Sequence, residues 1–459
     1  MAHSDEALEP ARAIAAAVAQ AGGRAWIVGG FVRDRLLGLD PKDLDLEIFG
    51  IAAADLPALL ARFGRVDPVG QSFPVYKVGA VDVALPRRES KTGRGHRGFT
   101  VEGDPFMSFA DAARRRDFTI NAVGLDPLTG EHADPFGGRA DLEARRLRVV
   151  DPARFGDDSL RVLRAVQLVG RFGLRVDPET RALLAGISLD DLPAERIWGE
   201  IEKLLVRATS PSLGLTLALD LQVIARLLPE LVALVGCPQE PEWHPEGDVW
   251  VHTLMVVDQA RSRIDDLPRA GQIAVMLGSL CHDLGKPATT AVIDGRIRSL
   301  GHEEGGLGPA TSLLDRLNIN AIDGIDVRRE VLAMTAHHLK PGAWYKVRDQ
   351  VGDGAFRRLA QKANMEWLAR LAKSDCLGRT GTFDCTAMDW FLDRAQRLGV
   401  EHQPPRPLLL GRHLIDLGVA PGPGMGALLK QIYERQLDGE VTTIDEGIEA
   451  AQALIQRRN

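Results

Sequence analysis

The stretch Trp26-Ile-Val-Gly29-Gly30-Phe-Val-Arg33-Asp34-Arg-Leu-Leu-Gly38, followed by Asp43-Leu-Asp45, decides how the front of this chain folds. Arg24 to Val28 is an apolar run of strand length. Gly29 and Gly30 let the backbone turn tightly and approach a ligand closely. Phe31 to Leu37 reads as a short helix stopped by Gly38. A helix N-terminus behind a glycine turn offers unpaired N–H groups and a positive dipole end to phosphate. Asp43 and Asp45 lie two apart on the next strand and so share a face. Two carboxylates side by side are costly unless a cation joins them. The combination predicts a phosphate cradle beside a metal pair, which is the apparatus of nucleotidyl transfer.

Around this stretch, 459 residues are too many for one core, and an apolar content of 45% supports several. Four cysteines (Cys237, Cys281, Cys376, Cys385) lack close pairing or zinc-ribbon spacing, which suits a reducing compartment. No apolar run reaches transmembrane length. Met1 to Pro10 is acidic and lacks the order of a signal peptide, so a cytoplasmic location is expected. The net charge of −7 argues against bulk affinity for nucleic acid. Leu85 to Arg175 nevertheless holds 17 Lys and Arg against 13 Asp and Glu, enough for a local basic face.

The fold class expected is α+β. Up to about residue 150, short β-rich runs (Ala25–Val28, Asp45–Phe49, Val75–Val78, Val81–Leu85, Leu147–Val149) alternate with helices, starting with an Ala-rich helix over 7–21. After Asp151 helices dominate, among them Leu160–Phe172, Glu195–Val206 and Leu213–Leu228. Gly236–Asp248 reads as a linker, and a Pro-rich break at Gln403–Pro407 precedes a terminal helical segment. The expected domains are a head over 1–150, a helical neck over 151–240, a histidine-bearing helical domain over 241–380 and a helical tail over 381–459.

Asp43 and Asp45 need a third acid to hold two ions, and Asp82, on the otherwise apolar strand Val81-Asp82-Val83-Ala84-Leu85, supplies one. Four further segments follow: Arg115-Arg116-Asp117-Phe-Thr-Ile-Asn121-Ala122, Asp134-Pro-Phe-Gly137-Gly138 with Asp141-Leu142, Asp157-Asp158-Ser-Leu-Arg161-Val-Leu-Arg164-Ala, and Glu195-Arg196-Ile-Trp-Gly-Glu200-Ile. With the glycine turn, these five segments in this order resemble the class II, polymerase-β-like nucleotidyltransferases, the CCA-adding tRNA enzymes and bacterial poly(A) polymerases.

That resemblance implies the following. Asp43, Asp45 and Asp82 are the catalytic acids, with Asp43 and Asp45 holding Mg²⁺. Gly29, Gly30, Arg33, Arg115, Arg116, Asp117, Asn121, Asp158, Arg161 and Arg164 bind the incoming nucleotide. Arg33, Arg115 and Arg116 would neutralise a triphosphate, and Asn121 would meet a sugar hydroxyl. Asp158 and Arg161, an acceptor and a fork donor side by side, would read the edge of a base and so replace a template. Taken alone, Arg115 to Asn121 reads as a basic helix end with a cap, and Asp158/Arg161 as a surface i,i+3 pair. The basic, Gly-rich run Arg87 to Phe99 reads as a mobile phosphate-facing loop, as in enzymes that switch from C to A addition. Gly70 to Lys77 resembles the CCA-adding group and lacks the Arg-rich strand of the poly(A) polymerases. The partners implied are tRNA, CTP and ATP. A poly(A) polymerase or A-only adder, and a non-catalytic RNA-binding protein, stay open as alternatives.

Six of the 11 histidines fall between His244 and Asp375. His252, the adjacent pair His282-Asp283, and Asp375 are spaced through apolar helical runs, and burying them without a metal would be expensive. The order resembles the HD-domain phosphohydrolases, and His302 and His337 match versions holding a second metal. This implies a divalent-metal site of His252, His282, Asp283, His302, His337 and Asp375, with His338 as a neighbour of His337 only. It also implies hydrolysis of phosphomonoesters or 2′,3′-cyclic phosphates, with Lys286 near the phosphate.

Overall fold

A computed structural model describes residues 8–41, 43–69, 74–91 and 99–457 of the chain. It separates into two compact units, one formed by 1–204 with 213–222 and the other by 205–212 with 223–459.

The first unit is built on a seven-stranded mixed sheet of order β3-β4-β5-β2-β1-β8-β9. Its strands are β1 (Arg24–Val28), β2 (Leu44–Phe49), β3 (Val66–Val69), β4 (Val75–Val78), β5 (Val81–Ala84), β8 (Gly124–Leu125) and β9 (His132–Ala133). Side chains alternate across a strand, so one face of β1 and β2 carries Ala25, Ile27, Leu44, Leu46 and Ile48. Helix α1 (Glu9–Gln20) presents Ala11, Ile14, Ala15 and Val18 at helical spacing and closes that face into the main core. Trp26, Val28 and Phe49 face the other way and pack with Met107 and Ala112. Asp45 and Glu47 share this second face, opposite α1.

Helix α2 (Gly30–Leu36) starts at once after the glycine turn, where Gly29 has φ +74°, a conformation that favours glycine. Beyond the sheet, helix α3 (Leu160–Phe172) has the expected bounds and ends at Gly173 in the left-handed conformation. Helix α4 (Ala194–Glu202) packs against it.

Several expectations are corrected. Of the expected run Leu147–Val149 only Leu147 lies in a strand: Arg146–Leu147 pairs in parallel with Arg175–Val176 as a separate short ladder, and Val149 makes an isolated bridge to Phe118. The run Leu213–Leu228 is two helices, Pro211–Asp220 and Val223–Leu227, broken where Gln222 takes φ +60°. Arg87 to Phe99 is not simply a loop, because β6 (Arg87–Lys91) and β7 (Phe99–Gly103) form an antiparallel ribbon in which Arg88 pairs with Glu102. The Arg88–Asp104 ion pair (2.7 Å) lies at its base. The expected tip of this loop, 92–98, and residues 70–73 of the Gly70–Lys77 stretch lie outside the described residues.

In the second unit, helices α5 (Val249–Arg261), α6 (Arg269–Cys281), α7 (Val327–His337) and α8 (Met365–Leu377) pack on one another. Helix α6 is central, with Ala270, Gly271 and every residue from Ile273 to Cys281 buried. Side-chain caps fix the starts of the others: Asp248 on α5, Asp326 on α7 and Asn364 on α8. Cys376 and Cys385, expected to be unpaired, are joined in a disulfide, because α8 and the helix Thr386–Arg397 pack together; Cys237 and Cys281 are free and buried. No helix among the described residues is long and apolar enough to cross a membrane.

Candidate active sites

In the first unit, sheet register assembles the acidic site. Asp45 lies beside Val28 of β1 on one side and in register with Asp82 of the parallel strand β5 on the other. The glycine turn that ends β1 is therefore carried to the acids. A Cβ on Gly29 would lie 3.4 Å from Arg116 Nη1 and 3.7 Å from Asp45 Oδ2. Asp43 is exposed just before β2. Desolvation by the surrounding protein pushes the Asp45 carboxyl up to about 6; Arg116 opposes this, and Asp82, Asp43 and Glu47 add to it. A cation bound beside Asp45 would offset that cost. Oxygen ligands of this kind suit a hard divalent ion.

The third acid is already occupied. Lys77, across from Asp82 in β4, places Nζ 2.7 and 2.8 Å from its two oxygens. Asp43, Asp45 and Asp82 are not among the described groups whose ligand atoms converge on one point.

The cations expected to meet a triphosphate are held by the protein. Glu47, two residues beyond Asp45, accepts from Arg115 Nη2 and lies 3.5 Å from Arg116 Nη2. Burial opposes its ionisation, but Arg116 and Arg115 hold its carboxyl below the usual range. Sequence reasoning missed Glu47, although Asp43, Asp45 and Glu47 alternate on one strand face.

Arg33 is buried. Its Nε and Nη2 donate to Asp34 Oδ1 and its Nη1 donates to Asn121 Oδ1 at 2.7 Å. Asn121 Nδ2 donates in turn to Asp117 Oδ1, and Arg164 Nε pairs with Asp117 Oδ2 at 2.7 Å. Residues 33, 117, 121 and 164 thus form a polar chain that joins α2 to α3.

Asp158 and Arg161 do not pair with one another. Asp158 precedes α3 rather than lying on it, and takes both Nη atoms of Arg196 at 3.2 and 3.0 Å. Arg161 donates to the carbonyls of Arg154, Phe155 and Arg115. The Arg161 N–H still meets the Asp158 carbonyl at 3.2 Å, so the i,i+3 turn is made, but the two side chains leave it for different partners.

In the second unit, α6 ends at a tight corner carrying His282, Asp283, Gly285 and Lys286. A Cβ on Gly285 would collide with the His302 carbonyl and the Gly306 amide, so glycine is what lets the His302 turn close onto Asp283. His282, His302 and His338 share one arrangement. Each Nδ1 lies 2.7–2.8 Å from the carbonyl three residues earlier, on Ser279, Ser299 and Thr335 respectively. That bond makes Nδ1 the donor and leaves Nε2 as a lone pair facing inward.

The lone pairs meet other acceptors. His302 Nε2 is 3.2 Å from His338 Nε2 and 3.4 Å from Asp283 Oδ1. His282 Nε2, sealed from solvent and without a hydrogen-bond partner, faces Asp283 Oδ2 at 3.2 Å. Imidazole nitrogens and a carboxylate gathered this closely share a proton or a cation, and of these groups Lys286 reaches only Asp283, so the residues present fit a divalent metal. The described groups that converge closely enough to hold an ion are His252/His282/Asp283, Asp283/His302/His338 and His244/Glu246/His252.

His337 is corrected. Its Nδ1 turns to the Ala336 carbonyl, and His338 is the buried residue beside His302. The phase of α7 explains the exchange: Val327, Val331, Met334 and Thr335 are buried, and the next position on that face is 338. Burial, with His282 nearby, pushes His338 down to about 4, so it is neutral near pH 7.

Asp375 Oδ1 lies 3.0 Å from His252 Nε2. Burial opposes ionisation of both carboxylates, yet His252 holds Asp375, and His282 with Lys286 hold Asp283, well below the usual range. Lys286 Nζ reaches Asp283 Oδ2 (2.7 Å) and Gln239 Oε1 (2.7 Å).

These groups open on a cavity of ≈ 250 Å³ whose wall includes Trp243, His244, Lys286 and Arg379. Gly236–Asp248 is therefore a wall of the site rather than a linker, and it supplies Gln239, His244 and Glu246.

Comparison with known proteins supplies a lineage for both units. Residues 25–148 match the poly A polymerase head domain. The "Multifunctional CCA protein" of Xanthomonas campestris is 38% identical over 372 residues, covering 78% of this chain and 86% of that protein. The protein of the same name from Methylococcus capsulatus is 37% identical over 424 residues, covering 89% and 93%. Among solved structures, the CCA-adding enzyme of Bacillus stearothermophilus in complex with CTP shares the fold with a TM-score of 0.66, 22% identity and 98% of each chain covered.

Proposed function

From the membership of this chain in the family of multifunctional CCA proteins, which the relatives establish, we propose that it completes the 3′-terminal CCA of tRNA from CTP and ATP with its first unit, and hydrolyses phosphate esters with its second. The observation that carries the first activity is the register that sets Asp45 between the glycine turn and Asp82. Asp43 and Asp45 would hold a divalent ion, which would supply charge neutralisation for the nucleotidyl transfer.

The chain's own residues do the rest. The Gly29–Gly30 turn admits the triphosphate close to the backbone. Arg115 and Arg116, oriented by Glu47, form a cationic floor beside Asp45. The Arg33–Asn121–Asp117–Arg164 chain fixes α3 to the head, so that these four residues position the nucleotide pocket. Asp158, oriented by Arg196, and Arg161, oriented by three carbonyls, present an acceptor and a donor for the edge of a base. Lys77, paired with Asp82, adds a cation beside the acids.

In the second unit the convergent Nε2 atoms of His282, His302 and His338, with His252, Asp283 and Asp375, would hold a divalent ion, which would supply Lewis-acid chemistry for hydrolysis. Lys286 and Arg379 meet the phosphate of a monoester or 2′,3′-cyclic ester.

The test uses tRNAs ending one, two or three nucleotides short of the 3′ terminus, with CTP and ATP. C incorporation is expected on the shorter substrates and A on the longest; no C incorporation refutes full CCA synthesis in favour of A-only addition. Asp43→Ala is expected to abolish addition while sparing phosphatase activity, and His282→Ala to do the reverse. Loss of both activities in either folded variant refutes two independent sites.

A further inference from the structure

Glu246 carries more of the second site than its place in a Pro- and Gly-rich segment suggests. Its side chain is 1% exposed. Oε1 lies 2.8 Å from His244 Nδ1 and 2.8 Å from His252 Nδ1, while Oε2 accepts from the backbone N–H of Thr380 at 3.3 Å. The three donors come from three separate pieces of chain: the strap before α5, α5 itself, and the segment after α8 that carries Arg379. The rings of His244 and His252 meet edge to face with centroids 4.7 Å apart.

An ionised carboxylate only accepts hydrogen bonds. Placed against both Nδ1 atoms, it makes each of them the proton-bearing nitrogen. We propose that Glu246 is a positioning residue for the histidine–aspartate site. It anchors Nδ1 of two histidines at once, so that His252 directs Nε2 towards Asp375 and Asp283 while His244 stands in the wall of the phosphate-ester cavity. His252 Nε2 lies 3.0 Å from Asp375 Oδ1 and 3.9 Å from Asp283 Oδ2, and His244 lines the cavity with Lys286 and Arg379. His244 then offers a neutral acceptor to a substrate hydroxyl, while the two cations take the phosphate. The same carboxylate, through Thr380, ties the Arg379 wall to the His252 side. The inference rests on the metal-site reading above.

Glu246→Gln is the incisive substitution. An amide has one acceptor oxygen and one NH₂. Either orientation sets a donor against a donor, at the two histidines or at Thr380 N–H. Cobalt(II) binding to the purified full-length chain, followed by calorimetry and by the visible spectrum of the bound ion, gives a readout independent of turnover. The difference between the wild type and His282→Ala isolates the second-unit site. Glu246→Gln is expected to weaken cobalt binding there by about 10- to 100-fold and to alter the spectrum, with tRNA nucleotide addition unchanged. His244→Ala is expected to retain cobalt binding and to raise KM for p-nitrophenyl phosphate with a smaller effect on kcat.

Wild-type cobalt affinity in Glu246→Gln, where His282→Ala has lost it, overturns the inference alone. Equal binding by the wild type and His282→Ala overturns the metal-site reading, and the inference with it. Equal loss in His244→Ala and Glu246→Gln makes His244 a ligand and also overturns the inference. Should Glu246→Gln fail to fold, Glu246→Asp decides: it keeps both acceptors at a shorter reach and is expected to bind cobalt with intermediate affinity, and wild-type affinity overturns the proposal.

Discussion

Replacing Glu47 by Ala tests whether one carboxylate organises the floor of the transferase site. Glu47 has 3% of its side chain exposed, and its partners Arg115 and Arg116 have 21% and 16%. Removing one member of a buried ion pair leaves uncompensated charge and costs about 3–5 kcal/mol. Since both arginines keep some access to solvent, the lower figure of about 3 kcal/mol applies. In a unit of roughly 200 residues each kcal/mol moves Tm by about 2–4 °C, so the transition of the first unit should fall by about 6–12 °C.

The assay is differential scanning calorimetry of the full chain, with Asp67→Ala as the control. Asp67 pairs with Arg65 at 2.7 Å, but the two side chains are 52% and 87% exposed, and such a surface pair is worth about 1 kcal/mol at most. A Glu47→Ala shift no larger than that of Asp67→Ala would refute the claim that Glu47 holds the two arginines in place. A full shift with unchanged KM for CTP would refute their role as the nucleotide floor, while leaving the structural argument standing.

Two further outcomes are expected. His338→Ala should lower phosphatase activity by at least about 10- to 100-fold, and His337→Ala should leave it near wild type; the reverse order in steady-state assays would reject the convergent Nε2 arrangement. The Asp45 carboxyl, at about 6 against an ordinary value of 3.8, implies opposite pH trends for stability and for metal binding. Its folded value is raised, so the stabilisation it contributes is present at low pH and lost as pH rises through about 6, and the metal-free first unit should gain stability from pH 7 to pH 5. Cation binding needs the carboxylate, so Mn²⁺ affinity, measured by electron paramagnetic resonance in the His282→Ala background, should fall about tenfold over the same range. Flat Mn²⁺ affinity would show that Asp45 titrates as an ordinary acid.

Local signals predicted the site-bearing elements well, because each is a short-range property of the chain. The strand–glycine turn–helix at Arg24–Leu36, the acid on β5 and the helix Leu160–Phe172 all follow from apolar spacing and from where glycine sits. The partners of the site residues did not follow, because a partner is chosen by packing between segments far apart in sequence. Asp158 and Arg161 are three residues apart, yet one pairs with Arg196 and the other with backbone carbonyls. His337 and His338 are adjacent, and only the phase of α7 against α6 turns the second inward. Gly236–Asp248 looks like a linker by composition, since proline and glycine mark irregular backbone and do not say what that backbone covers.

The sequence by itself determined which chemistry this chain carries: an acidic pair behind a glycine turn for phosphate and metal, and a histidine–aspartate series in a helical body. Only the tertiary structure decided how the charges are matched. Lys77 on Asp82, Glu47 beneath Arg115 and Arg116, and Glu246 between His244 and His252 are pairings set by strand register and helix packing. The physical reason is that a buried or crowded charge must find a counter-charge wherever the fold brings one, and sequence spacing does not measure that distance.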